Sequence, residues 1–356
     1  MPLDDNNNRY SIDDFHLTAE SVSRTLPRGL VLRRGRESDE QPTFEVMRRA
    51  MGFELTFDNH SAMRNHLRES PQCSFWLAED TPRFSRHRTV GYARSIVRDT
   101  VWSLTEFFVH PDFQGRGVGA ALLEQCLAEG IRAGADTRLV LASMSGGADS
   151  LYIRKLGCLP RLPMLLLAGS PITLKLPPEQ ENTIFEAGQF RGLIEPHNLY
   201  AEPITLCPEV EAILNALDRE AIGFAHPTEH QFRQTLINQG QCVGRLFRRG
   251  SDTGEVVGYA YAGVQHQGPV YAKDPNDLPR IFLHITQQLR QIFRNVPLAS
   301  FSPSLDYYAS LSGTNETLLP WLMECGWRII FHYLYMSSHP MGQLDRYVGH
   351  NPLYVL

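Results

Sequence analysis

The chain has 356 residues, of which 42% are hydrophobic and 21% charged, and its formal net charge is −5. This length predicts two domains, because single hydrophobic cores rarely grow beyond about 250–300 residues. The negative charge argues against a nucleic acid as the main partner, since nucleic-acid-binding domains are usually basic. No apolar run approaches the ~20 residues that a membrane-spanning helix needs, and the polar N-terminus does not resemble a secretory signal.

The first elements alternate between helical and strand-like patterns. Residues 1–28 are polar and lack periodicity, so they predict an N-terminal arm. The patterns that follow predict a strand at Leu30–Arg33, helices at Asp39–Met51 and Ser61–Glu69, and strands at Ser74–Glu79 and Val90–Val97.

The stretch around which the first half is organised is a strand that leads into a glycine-rich loop. Trp102–Val109 is rich in aromatic and β-branched residues, and Pro111 ends the strand because proline lacks an N–H group. Residues 114–119 read Gln-Gly-Arg-Gly-Val-Gly, and from Val118 the apolar residues recur at helical spacing. Backbone N–H groups at such a helix start suit a phosphate, although a tight turn that binds nothing is the alternative.

The loop resembles that of a known superfamily. Residues 114–119 match the Gln/Arg-x-x-Gly-x-Gly/Ala loop of the GNAT acetyl-CoA-dependent N-acetyltransferases, and Val109–Asp112 is also similar to that family. The resemblance implies that main-chain amides of the loop hold the pyrophosphate of coenzyme A and that the preceding strand meets the pantetheine arm. The cofactor-binding residues it implies are Phe107, Val109, Gln114, Gly115, Arg116, Gly117, Val118 and Gly119.

The resemblance also indicates catalytic residues. Residues 146–158 are similar to the last helix of the family, and Tyr152 is the candidate acid for the leaving thiolate, with core packing as the alternative. One extra residue before Gly157 departs from the family pattern. Glu106, the only acidic residue of the central strand, is the candidate base, unless it faces away from the substrate and forms an ion pair. Glu54 and a water relay are its rivals.

Acceptor contacts are expected from the helices that follow the first strand, because these wall the acceptor pocket in GNAT proteins. The candidates by resemblance are Met51, Phe53, Glu54 and Phe57, with core packing as the alternative for the apolar ones. Some relatives with several domains use the terminal carboxylate in the active site, so the apolar tail at 351–356 is a further candidate.

The six cysteines and thirteen histidines do not predict a metal site. No two cysteines form a C-x-x-C pair, and several lie in apolar stripes, which favours free thiols in a reducing cytoplasm. No His and Cys cluster has metal-ligand spacing, so no metal is expected. His226 and His230 stand at a predicted helix start, where a capping, solvent-exposed position is expected.

The second half repeats the first without its loop. Val90–Ala93 recurs as Val257–Ala260, and Leu156–Cys158 has a counterpart in Cys325–Trp327. Further elements predicted there include a helix at 279–293 and a strand at 298–302. The connection equivalent to the loop, Tyr271–Pro279, has no glycine and carries two aspartates that would repel an anion.

The sequence therefore predicts an α/β fold, an α+β mixed sheet with flanking helices, repeated twice. The expected domains are an arm (1–28), a GNAT acetyltransferase domain (29–170), a linker (171–182) and a degenerate GNAT-like domain (183–356). The expected activity is transfer of an acetyl group from acetyl-CoA to a small-molecule primary amine by direct attack on the thioester. We expect a cytoplasmic protein without a nucleic-acid or membrane partner, and a homodimer is an open option. The alternative is a coenzyme A-binding sensor or assembly module without turnover.

Overall fold

The computed structural model describes residues 29–52, 73–81, 87–169, 199–263, 267–294 and 307–349. Several expectations lie outside these residues: the arm, the helix at 61–69, the linker, the strand at 298–302, the C-terminal tail, and the acceptor candidates Phe53, Glu54 and Phe57.

The first half contains six strands and three helices among the described residues. They are β1 (Leu30–Arg34), α1 (Glu40–Met51), β2 (Cys73–Asp80), β3 (Arg88–Arg98), β4 (Val101–Val109), α2 (Val118–Arg132), β5 (Thr137–Ala142), α3 (Gly146–Leu156) and β6 (Leu159–Gly169).

The second half repeats this order and adds one helix and one strand, again among the described residues. Its elements are β7 (Leu199–Pro203), α4 (Pro208–Ile222), α5 (Pro227–Asn238), β8 (Cys242–Arg249), β9 (Val256–Gly263), β10 (Gln267–Ala272), α6 (Leu278–Arg294), β11 (Tyr307–Ser312), α7 (Leu318–Glu324), β12 (Arg328–Ser337) and β13 (Tyr347–Gly349). The repeated order confirms the prediction of two copies of one mixed α/β fold.

All thirteen described strands join one sheet, in the order β1-β2-β3-β4-β5-β12-β6-β11-β13-β10-β9-β8-β7. The pair β4–β5 is parallel, as a strand–helix–strand crossover requires, and the other pairs are antiparallel.

The two halves exchange their last strands within this sheet. β12 of the second half lies between β5 and β6 of the first half, with Leu334 opposite Ala142. In return, β6 lies between β12 and β11, with Leu165 opposite Leu311. The strand beside β5 therefore comes from the second half and not from β6.

Helices α1 and α2 pack on opposite faces of the first half of the sheet. The α2 face holds Leu122, Leu123 and Cys126, which are fully buried, and the α1 face holds Phe44 and Met47. None of the described helices is both long enough and apolar enough to cross a membrane.

Candidate active site

The glycine-rich loop lies where β4 ends and α2 begins. A 3-10 turn at Pro111–Phe113 leads into it, and Gly117 is the N-cap of α2. Gly115 and Gly117 have φ angles of 73° and 82°, a left-handed conformation that glycine adopts without strain. A Cβ at either position would have no atom within 4 Å, so the backbone here is open to an approaching group.

Two side chains brace this loop from outside. Gln114 donates from Nε2 to the carbonyl oxygen of Val109 at 3.0 Å, which ties the loop to the end of β4. The Arg116 guanidinium lies 5.2 Å from the centre of the Phe113 ring, and its residue is exposed. The open amides of the first helical turn thus have a cation beside them, an arrangement that suits a phosphate.

A wedge opens between β4 and β5 next to the loop. The two strands pair from Val101 opposite Thr137 to Leu104 opposite Val140, and no further pair joins them beyond that point. Phe107 and Val109, on the part of β4 that pairs with β3 but no longer with β5, pack on the α2 face. The structure therefore brings the predicted strand contacts and the loop to one place.

Helix α2 contributes two further predicted residues in different ways. Gly119 faces Phe107, because a Cβ there would lie 3.0 Å from the Phe107 Cζ atom. Val118 is 1% exposed and packs in the core, so only its backbone can face a ligand at the loop.

Tyr152 approaches the wedge from α3. Its ring centre lies 6.1 Å from that of Phe107, and its side chain is buried. Burial raises the pKa of the Tyr152 hydroxyl, so the group keeps its proton at neutral pH. Gly157, at φ 62°, caps the end of α3, so the extra residue noted in the sequence fits within the helix.

Glu106 lies on the opposite face of β4, the face covered by α1. Its carboxylate is fully buried and lies 3.1 Å from Nε of Arg94. The Arg94 guanidinium also donates to Glu40 of α1 at 2.7 Å, and it lies 3.6 Å from the centre of the Phe75 ring. The ion pair that the sequence left as an alternative is thus present. Met51 packs beside the same cluster of side chains.

In the second half, a buried carboxylate takes the place of the glycine-rich loop, and an extra strand takes the place of the wedge. The chain passes from a 3-10 turn at Pro275–Asp277 directly into α6, and the buried Asp277 carboxylate pairs with Arg249 at 2.6 Å. β13 fills the gap between β10 and β11, with Val348 opposite both Val270 and Leu311. The wedge that is open in the first half is closed here by the chain itself.

The expectation for His226 and His230 is wrong. Both side chains are buried, and together with Asp218 they form a cluster whose ligand atoms lie within 4.8 Å of one another. Sequence spacing did not reveal it, because the helix pair α4–α5 folds Asp218 back onto the start of α5. Asp218 Oδ2 lies 2.6 Å from His226 Nδ1 and 2.8 Å from His230 Nε2, and Tyr259 donates to Oδ1 at 2.5 Å. These are hydrogen-bond distances, so the carboxylate already has its partners.

Most of the first half matches the model of a known protein family. A family model described as the acetyltransferase (GNAT) family matches residues 40–158. Residues 40–158 are therefore similar to the GNAT acetyltransferase family. This domain contains the loop, the wedge and Tyr152, and members of the family transfer acyl groups from acyl-CoA. No curated protein matches the chain.

Solved structures show the fold of the whole chain. A putative acetyltransferase from Pyrococcus horikoshii has a TM-score of 0.62 at 15% identity, over 91% of this chain and 95% of that chain. A GCN5-related N-acetyltransferase from Sphaerobacter thermophilus has a TM-score of 0.57 at 15% identity, over 90% of this chain and 100% of that chain. A tandem GNAT protein from the clavulanic acid biosynthesis pathway has a TM-score of 0.55 at 14% identity, over 87% of this chain and 99% of that chain. The chain therefore has the tandem GNAT fold.

Proposed function

We propose that the first half is an acetyl-CoA-dependent N-acetyltransferase that acetylates the primary amine of a small molecule by direct attack on the thioester. The observation that carries this proposal is the open loop at Gly115–Gly119 beside the wedge between β4 and β5. Amides at the helix start would hold the pyrophosphate, with Gln114 fixing the loop and Arg116 adding charge. The backbone of Phe107 and Val109 would meet the pantetheine arm.

The chemistry requires an oxyanion donor, a proton acceptor and a proton donor. A main-chain N–H near Val109, on the part of β4 that has separated from β5, would stabilise the developing oxyanion. Tyr152, which keeps its proton, would protonate the leaving thiolate. Glu106 would accept the proton of the amine, directly or through water, and Arg94, which also pairs with Glu40, would hold its carboxylate in place.

The second half, residues 183–356, would bind no coenzyme A. The buried Asp277, paired with Arg249, stands at the start of α6, and β13 fills the gap that a pantetheine arm would need. We infer that this half supports the first: Arg219 and the Ala225 amide hold Asp99 at the β3–β4 turn, each at 2.9 Å. The six free cysteines agree with a reducing cytoplasm as its location.

The test is a calorimetric titration of acetyl-CoA into the wild type, Gly117→Asp and the control Gly134→Asp. Gly134 also has a positive φ, 89°, and open space around a Cβ, but it follows the far end of α2. We expect one site per chain, lost in Gly117→Asp and kept in the control. Two sites would contradict the silent second half, and no site would reject the cofactor assignment.

The buried ion pair of Glu106 favours one other candidate, a coenzyme A-binding sensor without turnover, because a carboxylate held by Arg94 is a weaker base. Release of free thiol from acetyl-CoA with a broad panel of amines separates the two. Turnover supports the transferase, whereas tight binding without turnover supports the sensor.

A further inference from the structure

Two arginines converge on one histidine where β4 ends. Nε2 of His110 lies 2.5 Å from Nη2 of Arg88 and 3.3 Å from Nη1 of Arg49. A ring nitrogen can accept from a guanidinium group only when it carries no proton. Nδ1 faces a donor as well, the Asp112 N–H at 3.3 Å, so both ring nitrogens face N–H groups. Burial and the charge of Arg88 lower the pKa of His110, which keeps the ring neutral. We call Arg49, Arg88 and His110 the basic cluster.

The positive charge of the basic cluster is incompletely balanced. Arg49 pairs with Glu45 at 2.7 Å, but Arg48 shares that carboxylate. Among the residues that the structure describes, no carboxylate lies within ion-pair distance of Arg88. Asp112 lies 3.6 Å from His110 Nδ1, and its side chain is 72% exposed. Two guanidiniums with planar donors therefore meet at a neutral nitrogen, where a carboxylate or phosphate could accept from both.

The basic cluster lies on the acceptor side of β4. Side chains alternate along a strand, and Phe107 and Val109 pack with α2, whereas Phe108 packs with the α1 face. Arg49 is on α1 itself. The wedge belongs to the other side of the strand, whereas Phe113, next to the cofactor loop, lies 6.0 Å from the His110 ring and 5.9 Å from the Arg88 guanidinium. The basic cluster thus borders the loop, and Arg49 opens it to a molecule that approaches from the α1 face.

We propose that Arg49 and Arg88 bind a carboxylate or phosphate group of the acceptor, so that the substrate is an anionic amine. The proposal rests on the proposed function, because it assigns the α1 face to the acceptor. His110 acts as a positioning residue that holds the two guanidiniums together.

The experiment uses the full chain and matched pairs of amines. ω-Amino acids are compared with their carboxamides, and ethanolamine phosphate with ethanolamine, so the two arms tell a carboxylate site from a phosphate site. The variants are Arg88→Gln, Arg49→Gln and the control Arg154→Gln, which removes the same charge from an exposed position on α3. The readouts are thiol release and calorimetric binding of each amine to the protein saturated with coenzyme A.

We expect the wild type to prefer the anionic member of one pair. Arg88→Gln should raise the KM for that amine about tenfold with kcat unchanged, and should leave the KM for its neutral partner unchanged.

An equal effect on both members, or no preference in the wild type, would overturn the proposal. Weaker binding of acetyl-CoA but not of its 3′-dephospho form in Arg88→Gln would also overturn it, because the basic cluster would then serve the cofactor. Binding of anionic amines that depends on Arg88, without turnover of any amine, would reject the transferase and keep the anion site.

Discussion

Arg94 and Glu106 face each other on neighbouring strands, with both side chains fully buried and 3.1 Å between Nε and Oε2. The guanidinium of Arg94 also holds Glu40, so one cation serves two carboxylates. A proton acceptor in this position would be fixed in orientation, because strand pairing and the shared guanidinium both restrain it.

The first prediction concerns Glu106→Gln, which keeps the size of the side chain and removes its charge. We expect kcat to fall about 100-fold or more, the range of a lost general base, with acetyl-CoA affinity unchanged. The control is Glu40→Gln, which removes the other carboxylate from the same guanidinium. Steady-state kinetics and urea unfolding of both variants separate the roles. Equal kcat values in the two variants would assign Glu106 a structural role only.

Tyr152→Phe tests the proton donor. We expect kcat to fall about 100-fold and calorimetric acetyl-CoA binding to persist. Because burial raises the pKa of Tyr152, the wild-type rate should show no descending limb from this group below about pH 10. Tyr335→Phe is the matched control, since Tyr335 is also buried but lies on β12. Unchanged turnover in Tyr152→Phe would exclude the role.

Gly119→Ala tests the contact between α2 and the wedge. The added methyl would lie 3.0 Å from Phe107 Cζ, so the ring must shift, and acetyl-CoA affinity should weaken. Gly147→Ala, in α3, has open space around its Cβ and should bind as the wild type does. Calorimetry of the two variants makes the comparison. An unchanged dissociation constant in Gly119→Ala would mean that Phe107 does not shape the cofactor path.

The stability of the protein in acid should depend on His284. Burial, together with the charge of Arg245, lowers the pKa of His284 to about 4, whereas the pKa of a histidine in the unfolded chain is about 6.5. The unfolded chain therefore binds more protons as the pH falls below about 6.5, and the free energy of unfolding decreases.

Between these two pKa values, the one extra proton bound by the unfolded chain lowers the free energy of unfolding by about 1.4 kcal/mol for each pH unit. Urea unfolding from pH 7.5 to 4.5 should show a slope that is shallower by this amount in His284→Gln. The exposed His332 supplies the control, His332→Gln. Parallel slopes in the wild type and His284→Gln would contradict the prediction.

The sequence predicted the strand, loop and helix around the candidate site because their signals are local. Strand, loop and helix from Trp102 to the end of α2 follow one another in the chain, and the glycines at 115 and 117 adopt the conformation that their pattern predicts. The patterns also located β1, β2, β3 and β4 of the first half within two residues.

The features that the sequence did not reveal depend on contacts between residues that lie far apart in the chain. Nothing in the short segment 347–349 indicates a strand between β10 and β11, because its partners lie far away in the chain. Likewise, His226 and His230 look like cap residues until α4 brings Asp218 to them. The exchange of β6 and β12 is equally invisible, since each strand has the same pattern whichever half it joins.

The exchange of β6 and β12 makes synthesis of the two halves interdependent. When the ribosome has completed residue 169, the place beside β5 still has no strand, and it stays so until residues 328–337 emerge. The edge of β5 thus obtains its native partner only after almost the whole chain has been translated. A gene cut between the halves would place β6 and β12 on separate polypeptides, so each product would need the other to complete its part of the sheet.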